Sequence, residues 1–130
     1  MTTDMPLITG EHRDEVAGYL DTGKASGAEL VADGREAAVE GDTSGFWLGP
    51  SLLDHVTADM SVYVEEIFGP VLSVVRVPTL GEALALVNAN PYGNGTAIFT
   101  ADGGAARRYE REVQVGMVGV NAPIPVPVSS

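Results

Sequence analysis

The first half of the chain alternates between helical and extended spacings of apolar residues. Residues 12–24 place apolar side chains at i, i+3, i+4 and i+7 opposite an acidic face, which predicts an amphipathic helix with Gly27 as its stop. Residues 28–32 alternate like a short strand. The apolar residues 46–56 are predicted to be extended on both sides of a Gly-Pro break, whereas 57–66 are predicted to be irregular or to end in one helical turn.

The second half predicts alternating strands and helices. A β-branched run over residues 71–77 is typical of a buried central strand. A capping-box pattern at 79–82 predicts the start of a helix that continues through Val87. A strand at 96–100, a helix at 103–113 capped by Asp102, and a strand at 117–121 are predicted after it. The order β-α-β-α-β implies an α/β fold, with a parallel-sheet layer and flanking helices. Ligands bind at the carboxyl ends of such strands, so Asn121 is a candidate site residue.

The chain is predicted to form a single domain over residues 1–130. Residues 1–65 carry 13 acidic and 3 basic side chains, but this charge imbalance ends inside the Glu65-Glu66 pair, where no linker marks a boundary. Proline then occupies every second position from 123 to 127, which excludes a helix or a central strand. Residues 122–130 are therefore predicted to form an extended tail.

Composition narrows the possible chemistry. The 130 residues include no cysteine and two histidines, which excludes disulfides, thiolate metal sites and a cysteine nucleophile, and we predict no metal site. The net charge of −11 repels phosphate backbones, which disfavours a nucleic-acid partner. No apolar run reaches the roughly 18 residues of a membrane helix, and the N-terminus lacks the pattern of a signal peptide. We therefore expect a soluble, cytoplasmic protein without a membrane partner.

The acidic pair Glu65-Glu66 and the following Ile-Phe-Gly-Pro form the first candidate site. Adjacent acids point to different sides of the backbone, so one carboxylate can reach the hydroxyls of a ligand, and Phe68 can pack against a planar ring. The alternative is a solvated pair of glutamates and a core phenylalanine at a Gly-Pro turn. Asn121 is equally open to two interpretations: it orients a substrate carbonyl, or it is a structural amide that caps the Pro-rich turn.

Other polar groups also have a functional and a structural interpretation. Asp102 begins a helix whose N-terminus can bind an anion, but a helix cap suits an acidic residue better. The arginines within 107–111 suit a carboxylate clamp, although the interleaved acids favour an ordinary charged face. His55 beside Asp54 suits a base and its orienting acid, but no nucleophile is identifiable, which favours a packing role. Trp47 is expected in the core.

Several ordered motifs resemble the NAD(P)-dependent aldehyde dehydrogenase family. Residues 65–71, E-E-I-F-G-P-V, are similar to a signature of that family. Residues 84–100 resemble its A-N…Y-G-L…A-x-F-T stretch, and residues 115–121 resemble its G-x-V-x-V-N strand. Residues 92–108 and 115–128 are most similar to the CoA-acylating branch, whose members act on methylmalonate semialdehyde. The likeness extends over nearly the whole chain.

The resemblance implies that NAD is the cofactor, that Glu66 binds the nicotinamide ribose hydroxyls and that Phe68 lies against the nicotinamide. It also implies that residues from Asn121 to about Pro125, Pro123 among them, wall the aldehyde pocket. In the family, the catalytic cysteine, general-base glutamate, oxyanion asparagine and cofactor domain all precede the matching segment. We therefore assign no catalytic residue, and expect the chain to be inactive alone and to show no measurable NAD binding.

Two other functions are consistent with the same residues. The chain is a half-enzyme that complements a separate chain carrying the cysteine and the cofactor domain, with CoA and aldehyde bound only by the intact enzyme. Alternatively, it is a non-enzymatic interaction module that uses a sheet edge and apolar faces as its binding surface. The same surfaces predict self-association.

Overall fold

The computed structural model describes residues 5–37 and 44–123, and the chain divides into two compact units. The first unit is Met1–Arg76 and the second is Val77–Ser130. The assignment of residues 1–130 to one catalytic domain stays a prediction. Most of the Pro-rich tail predicted over 122–130 lies outside the described residues.

Over residues 5–37 and 44–76, the first unit combines two helices with two small sheets. In chain order its elements are β1 (Met5–Leu7), α1 (Gly10–Ala25), β2 (Glu29–Ala32), β3 (Phe46–Leu48), β4 (Ser51–Asp54), α2 (Ser61–Val64) and β5 (Val71–Ser73). Strands β1 and β3 pair antiparallel, while β4 lies between β2, its antiparallel neighbour, and β5, its parallel neighbour. These bounds confirm the predicted helix, the short strand after it, the extended segments around the Gly-Pro break, and the single helical turn before the acidic pair.

Helix α1 begins and ends at the local signals in its sequence. The Thr9 side chain accepts a hydrogen bond from the backbone N–H of His12 and so caps the first turn. Just beyond the last turn, Gly27 has φ 106°, a left-handed conformation that glycine adopts without a Cβ penalty. The predicted apolar stripe is buried at Val16, Leu20 and Gly23.

The core of the first unit forms where α1 meets β4 and α2. Leu20 and Leu53 are both fully buried there. A Cβ on Gly23 would lie 2.9 Å from a Leu53 methyl group, so glycine allows α1 to approach the strand closely. Trp47, expected in the core, is only half buried.

The prediction of a buried central strand over 71–77 is wrong in two respects. Strand β5 ends at Ser73, and it is the edge strand of the sheet β2-β4-β5, with Leu72 62% exposed. A run of β-branched residues indicates an extended backbone but carries no information about how many neighbours the strand has.

The second unit contains α3 (Leu80–Ala89), β6 (Gly95–Ile98), α4 (Gly103–Glu112) and β7 (Met117–Val120). Strands β6 and β7 pair in parallel, with α4 as their connection. Both predicted caps are present: Thr79 accepts from the N–H of Glu82, and Asp102 accepts from the first turn of α4. The anion-site alternative for Asp102 therefore gives way to the cap.

The predicted fold class, α/β with parallel strands and flanking helices, is confirmed. The parallel pairs are β4–β5 and β6–β7. Of the predicted β-α-β-α-β sheet, only β6 and β7 pair with each other, connected by α4. Strand β5 pairs instead with β4, the strand that precedes it in the chain. Strand pairing is decided by tertiary contacts, which periodicity along the chain does not reveal. Within the described residues, no helix has the length and apolar character needed to cross a membrane.

Candidate functional site

The segment Glu65–Pro70 is a loop whose two ends are tied to secondary structure. At its start, the Glu65 N–H donates to the carbonyl of Ser61, the first residue of α2, at 2.9 Å. At its end, the Ser51 N–H of β4 donates to the Pro70 carbonyl at 2.8 Å. Both anchors are backbone hydrogen bonds, so the two ends of the loop are fixed by the secondary structure on either side of it.

Two side chains of α1 contact the interior of this loop. The Tyr19 hydroxyl donates to the Glu65 carboxylate at 2.5 Å. The His12 ring lies with Nε2 3.0 Å from the Phe68 carbonyl oxygen. Because a carbonyl only accepts, this contact requires a proton on Nε2.

Gly69 brings the loop against α1. A Cβ built on Gly69 would lie 2.6 Å from Val16 Cγ1 and 2.9 Å from Cγ2. Val16 is fully buried, so its isopropyl group has no room to withdraw. The glycine of the Gly-Pro turn is therefore required by a close approach.

The loop exposes the two residues for which the sequence indicated a ligand role. Glu66 is exposed, and no hydrogen bond or ion pair engages its carboxylate among the described residues. Phe68 is 76% exposed at φ 56°, so the alternative of a core phenylalanine is wrong. A left-handed backbone is strained for a bulky residue, and such strain is concentrated at functional sites.

The neighbouring Glu65 carboxylate perturbs Tyr19. The hydrogen bond to Glu65, together with burial and the negative charges of Glu65 and Glu15, raises the pKa of Tyr19 to about 12. The tyrosine therefore stays protonated at neutral pH and acts as a donor to the loop. Glu65 is thereby engaged within the protein, and Glu66 is the carboxylate left for a ligand.

Asn121 follows β7 and also has a left-handed backbone, at φ 52°. Its side-chain Oδ1 accepts from the Thr100 N–H at 2.8 Å, and its Nδ2 donates to the Thr100 carbonyl at 3.0 Å. Its own N–H donates to the Ile98 carbonyl at 2.8 Å. Both ends of the amide are thus engaged by backbone, which favours the structural interpretation of this residue over that of a carbonyl-orienting group.

The chain beyond Asn121 folds back over β7. A Cβ on Gly119 would lie 2.6 Å from the Ala122 carbonyl oxygen and 3.1 Å from that of Pro123. Pro123 is exposed. The assignment of Asn121 and Pro123 to a substrate-pocket wall stays a prediction.

The pair Asp54-His55 does not form a base with its orienting acid. The Asp54 carboxylate accepts hydrogen bonds from Arg76 Nε, at 3.0 and 3.2 Å to its two oxygens, from Arg76 Nη2 at 2.6 Å, and from the His55 backbone N–H. These bonds, with the Arg76 contact first, lower the pKa of Asp54 to about 2. The His55 ring lies 3.9 Å from Glu29 instead.

In the arginine cluster of α4, one side chain has a partner on the same helix. Arg108 pairs with Glu112 at 2.9 Å across one turn of α4, as expected of a charged helix face. Within residues 5–37 and 44–123, no group of three His, Asp or Glu side chains is placed to hold a metal ion.

Sequence reasoning missed the roles of His12 and Tyr19. The apolar periodicity of residues 12–24 indicates only a packing role for Tyr19, and no ligand spacing surrounds His12. The signal that was available is their spacing with Val16, since positions 12, 16 and 19 fall on one helical face. The partners of that face lie more than 45 positions away along the chain, and no local pattern identifies them.

Comparison with known proteins matches residues 1–130 to a protein family described as the aldehyde dehydrogenase family. The malonate-semialdehyde dehydrogenase of Pseudomonas aeruginosa is 59% identical over 124 residues, which cover 95% of this chain and 25% of that protein. The chain thus spans about a quarter of the length of the curated relatives it matches.

Solved structures give the same result. The methylmalonate-semialdehyde dehydrogenase of Oceanimonas doudoroffii superimposes with a TM-score of 0.88 at 53% identity, over 95% of this chain and 25% of that one. A Mycobacterium tuberculosis aldehyde dehydrogenase complexed with NAD+ superimposes with a TM-score of 0.79 at 33% identity, over 89% of this chain and 24% of that one.

Proposed function

The chain belongs to the aldehyde dehydrogenase family, and from that membership we propose that it supplies one side of the cofactor site in an NAD-dependent, CoA-acylating dehydrogenase of methylmalonate or malonate semialdehyde. One observation carries the proposal: a rigidly anchored loop exposes an unengaged carboxylate, Glu66, and an aromatic ring, Phe68. The identity to a malonate-semialdehyde dehydrogenase supports the substrate class.

The exposed groups fit the ribose and nicotinamide side of NAD. A carboxylate accepts hydrogen bonds from two adjacent hydroxyls, and Glu66 has both oxygens available among the described residues. The exposed ring of Phe68 offers an apolar surface to a planar heterocycle. NAD, when bound, accepts the hydride removed from the substrate, and the protein's part is to orient the ring that receives it.

We propose that the chain does not turn over by itself. It contains no cysteine, and thioester formation requires a thiolate nucleophile. The activity and the NAD and CoA sites then belong to an assembly with the remaining three quarters of a dehydrogenase. A cytoplasmic location stays part of this proposal.

The partner of the chain is proposed to be a complementing dehydrogenase segment that carries the nucleophile. Exposed apolar side chains in the first unit support a protein partner, among them Ile8 at 92% and Leu72 at 62% exposed. Self-association of the isolated chain is the competing outcome, which light scattering measures.

The test is a hybrid enzyme in which this chain replaces the matching quarter of the Pseudomonas aeruginosa relative. NADH formation is measured with methylmalonate or malonate semialdehyde, NAD and CoA. We expect turnover by the hybrid and none by the 130-residue chain. Turnover by the pure chain contradicts its inactivity, and a folded hybrid that binds NAD but oxidises neither aldehyde contradicts the substrate class.

A further inference from the structure

We propose that His12 and Tyr19 are positioning residues, which from one face of α1 hold the loop of residues 65–70 in the conformation that exposes Glu66 and Phe68. The inference rests on the proposed function, because it assigns those two exposed residues to NAD. It adds two residues that lie outside the family signature and that touch no ligand themselves.

The geometry of α1 makes this possible. His12, Val16 and Tyr19 are spaced i, i+4 and i+7, so their side chains lie along one helical face over about 10 Å of rise. Tyr19 contacts the start of the loop through Glu65, and His12 contacts its far part through the Phe68 carbonyl. Between these polar contacts, Val16 packs against Gly69.

The conformation of Phe68 requires such a restraint. A phenylalanine at φ 56° is strained, and with its side chain 76% exposed it gains little packing energy in return. The hydrogen bond from His12 acts on the carbonyl of this same residue, at 3.0 Å. Loss of that donor leaves the strained backbone free to relax into an ordinary conformation.

Tyr19 determines which glutamate points inward. The two acids are adjacent, so the backbone directs one carboxylate towards α1 and the other away from it. The Tyr19 hydroxyl binds Glu65 at 2.5 Å and thereby leaves Glu66 to the outside. A phenylalanine at position 19 offers no donor, so Glu65 is no longer preferred on the inner side.

The first test is NMR spectroscopy of the full 130-residue chain, without any ligand. The variants are His12→Ala, His12→Gln and Tyr19→Phe. Backbone couplings and Cα and Cβ shifts of Phe68 report its positive φ, and the ring nitrogen shifts of His12 report the proton on Nε2. His55→Asn is the control for loss of an imidazole, because asparagine tolerates the φ of 55° at that position. Tyr92→Phe is the control for loss of an exposed hydroxyl.

We expect His12→Ala to lose the positive-φ signature of Phe68, and His12→Gln to retain it through the glutamine amide. Tyr19→Phe shifts the Glu65 and Phe68 resonances, and Glu65→Gln lowers the pKa of Tyr19 from about 12 towards about 10. The controls leave Phe68 unchanged. An unaltered Phe68 signature in both His12→Ala and Tyr19→Phe overturns the proposal.

A second test separates this inference from the proposed function. In the hybrid enzyme, His12→Ala is expected to raise the KM for NAD about tenfold with a smaller effect on kcat, and His12→Gln to restore it. If Glu66→Gln raises the KM and His12→Ala does not, the positioning role is wrong and the proposed function stands. If Glu66→Gln itself leaves the KM unchanged, the proposed function is wrong.

Discussion

A left-handed backbone is shared by Phe68, within the loop before β5, and Asn121, directly after β7, but their side chains differ in what they contact. The Asn121 amide is fully engaged by the Thr100 backbone, and asparagine tolerates this conformation. Phe68 is a poor residue for the same φ, and its ring is 76% exposed. The conformation of Asn121 is thus explained by the hydrogen bonds of its own side chain, whereas the exposed side chain of Phe68 provides no such explanation.

The difference indicates where a functional surface of this chain is to be sought. A strained residue whose polar groups all form hydrogen bonds within the protein has a structural role. A strained bulky residue whose side chain faces outwards gains little from packing, so the contacts that hold it in place are candidates for a functional role. By this criterion the loop of residues 65–70 is a better candidate for a functional site than the turn at Asn121, although the sequence indicated both as candidates.

The largest expected effect on stability comes from a substitution at Gly69, where the loop packs against α1. Gly69→Ala forces a Cβ to within 2.6 Å of Val16 and should lower the free energy of unfolding by about 2 kcal/mol. In a Val16→Ala background the nearest remaining atom is the Val16 Cβ, at 3.3 Å, so the second substitution should cost much less. Urea unfolding of both single variants and the double variant measures the coupling. Additive effects contradict the packing of Gly69 on α1.

Asn121→Ala tests the turn after β7. It removes two hydrogen bonds to Thr100 and leaves a Cβ at positive φ, so we expect a loss of about 2 kcal/mol. Asn121→Gly loses the same bonds without the strain and should cost about 1 kcal/mol less. Thermal unfolding of the two variants gives the difference. Equal stabilities show that the backbone at this position is unstrained.

Phe68→Gly should have a small effect of the opposite sign. Glycine relieves the strain at φ 56°, but it adds entropy to the unfolded chain, so a gain of about 0.5 kcal/mol is expected. Phe68→Ala keeps the strain and removes an exposed ring, so its stability should match that of the parent. A glycine variant less stable than the alanine variant indicates that Phe68 carries no strain.

The pH dependence of stability tests the Asp54 carboxylate, which is hydrogen-bonded within the first unit. The Arg76 contact lowers the pKa of Asp54 to about 2, against about 4 in an unfolded chain. The carboxylate therefore contributes stability that is complete above about pH 4 and is lost as the pH falls towards about 2. Asp54→Asn should flatten this part of the profile in urea unfolding at stepped pH. An unchanged slope contradicts the Asp54–Arg76 interaction.

Local features were predictable, and long-range features were not. The caps at Thr79 and Asp102 and the buried stripe of α1 follow from residue types within a few positions of each other. The edge position of β5 depends on its pairing with β4, which the run of β-branched residues does not specify. Aromatic residues are usually buried, whereas Phe68 is exposed, so its residue type did not predict its position. Its partner His12 lies 56 positions away along the chain.

The central claim is that this chain presents Glu66 to the cofactor of an assembled dehydrogenase. The most direct measurement is the KM for NAD of the hybrid enzyme carrying Glu66→Gln, with Glu110→Gln, an exposed acid on α4, as its matched control. The account predicts a rise of about tenfold or more for Glu66→Gln and no change for Glu110→Gln. Equal KM values for the parent hybrid and Glu66→Gln contradict it.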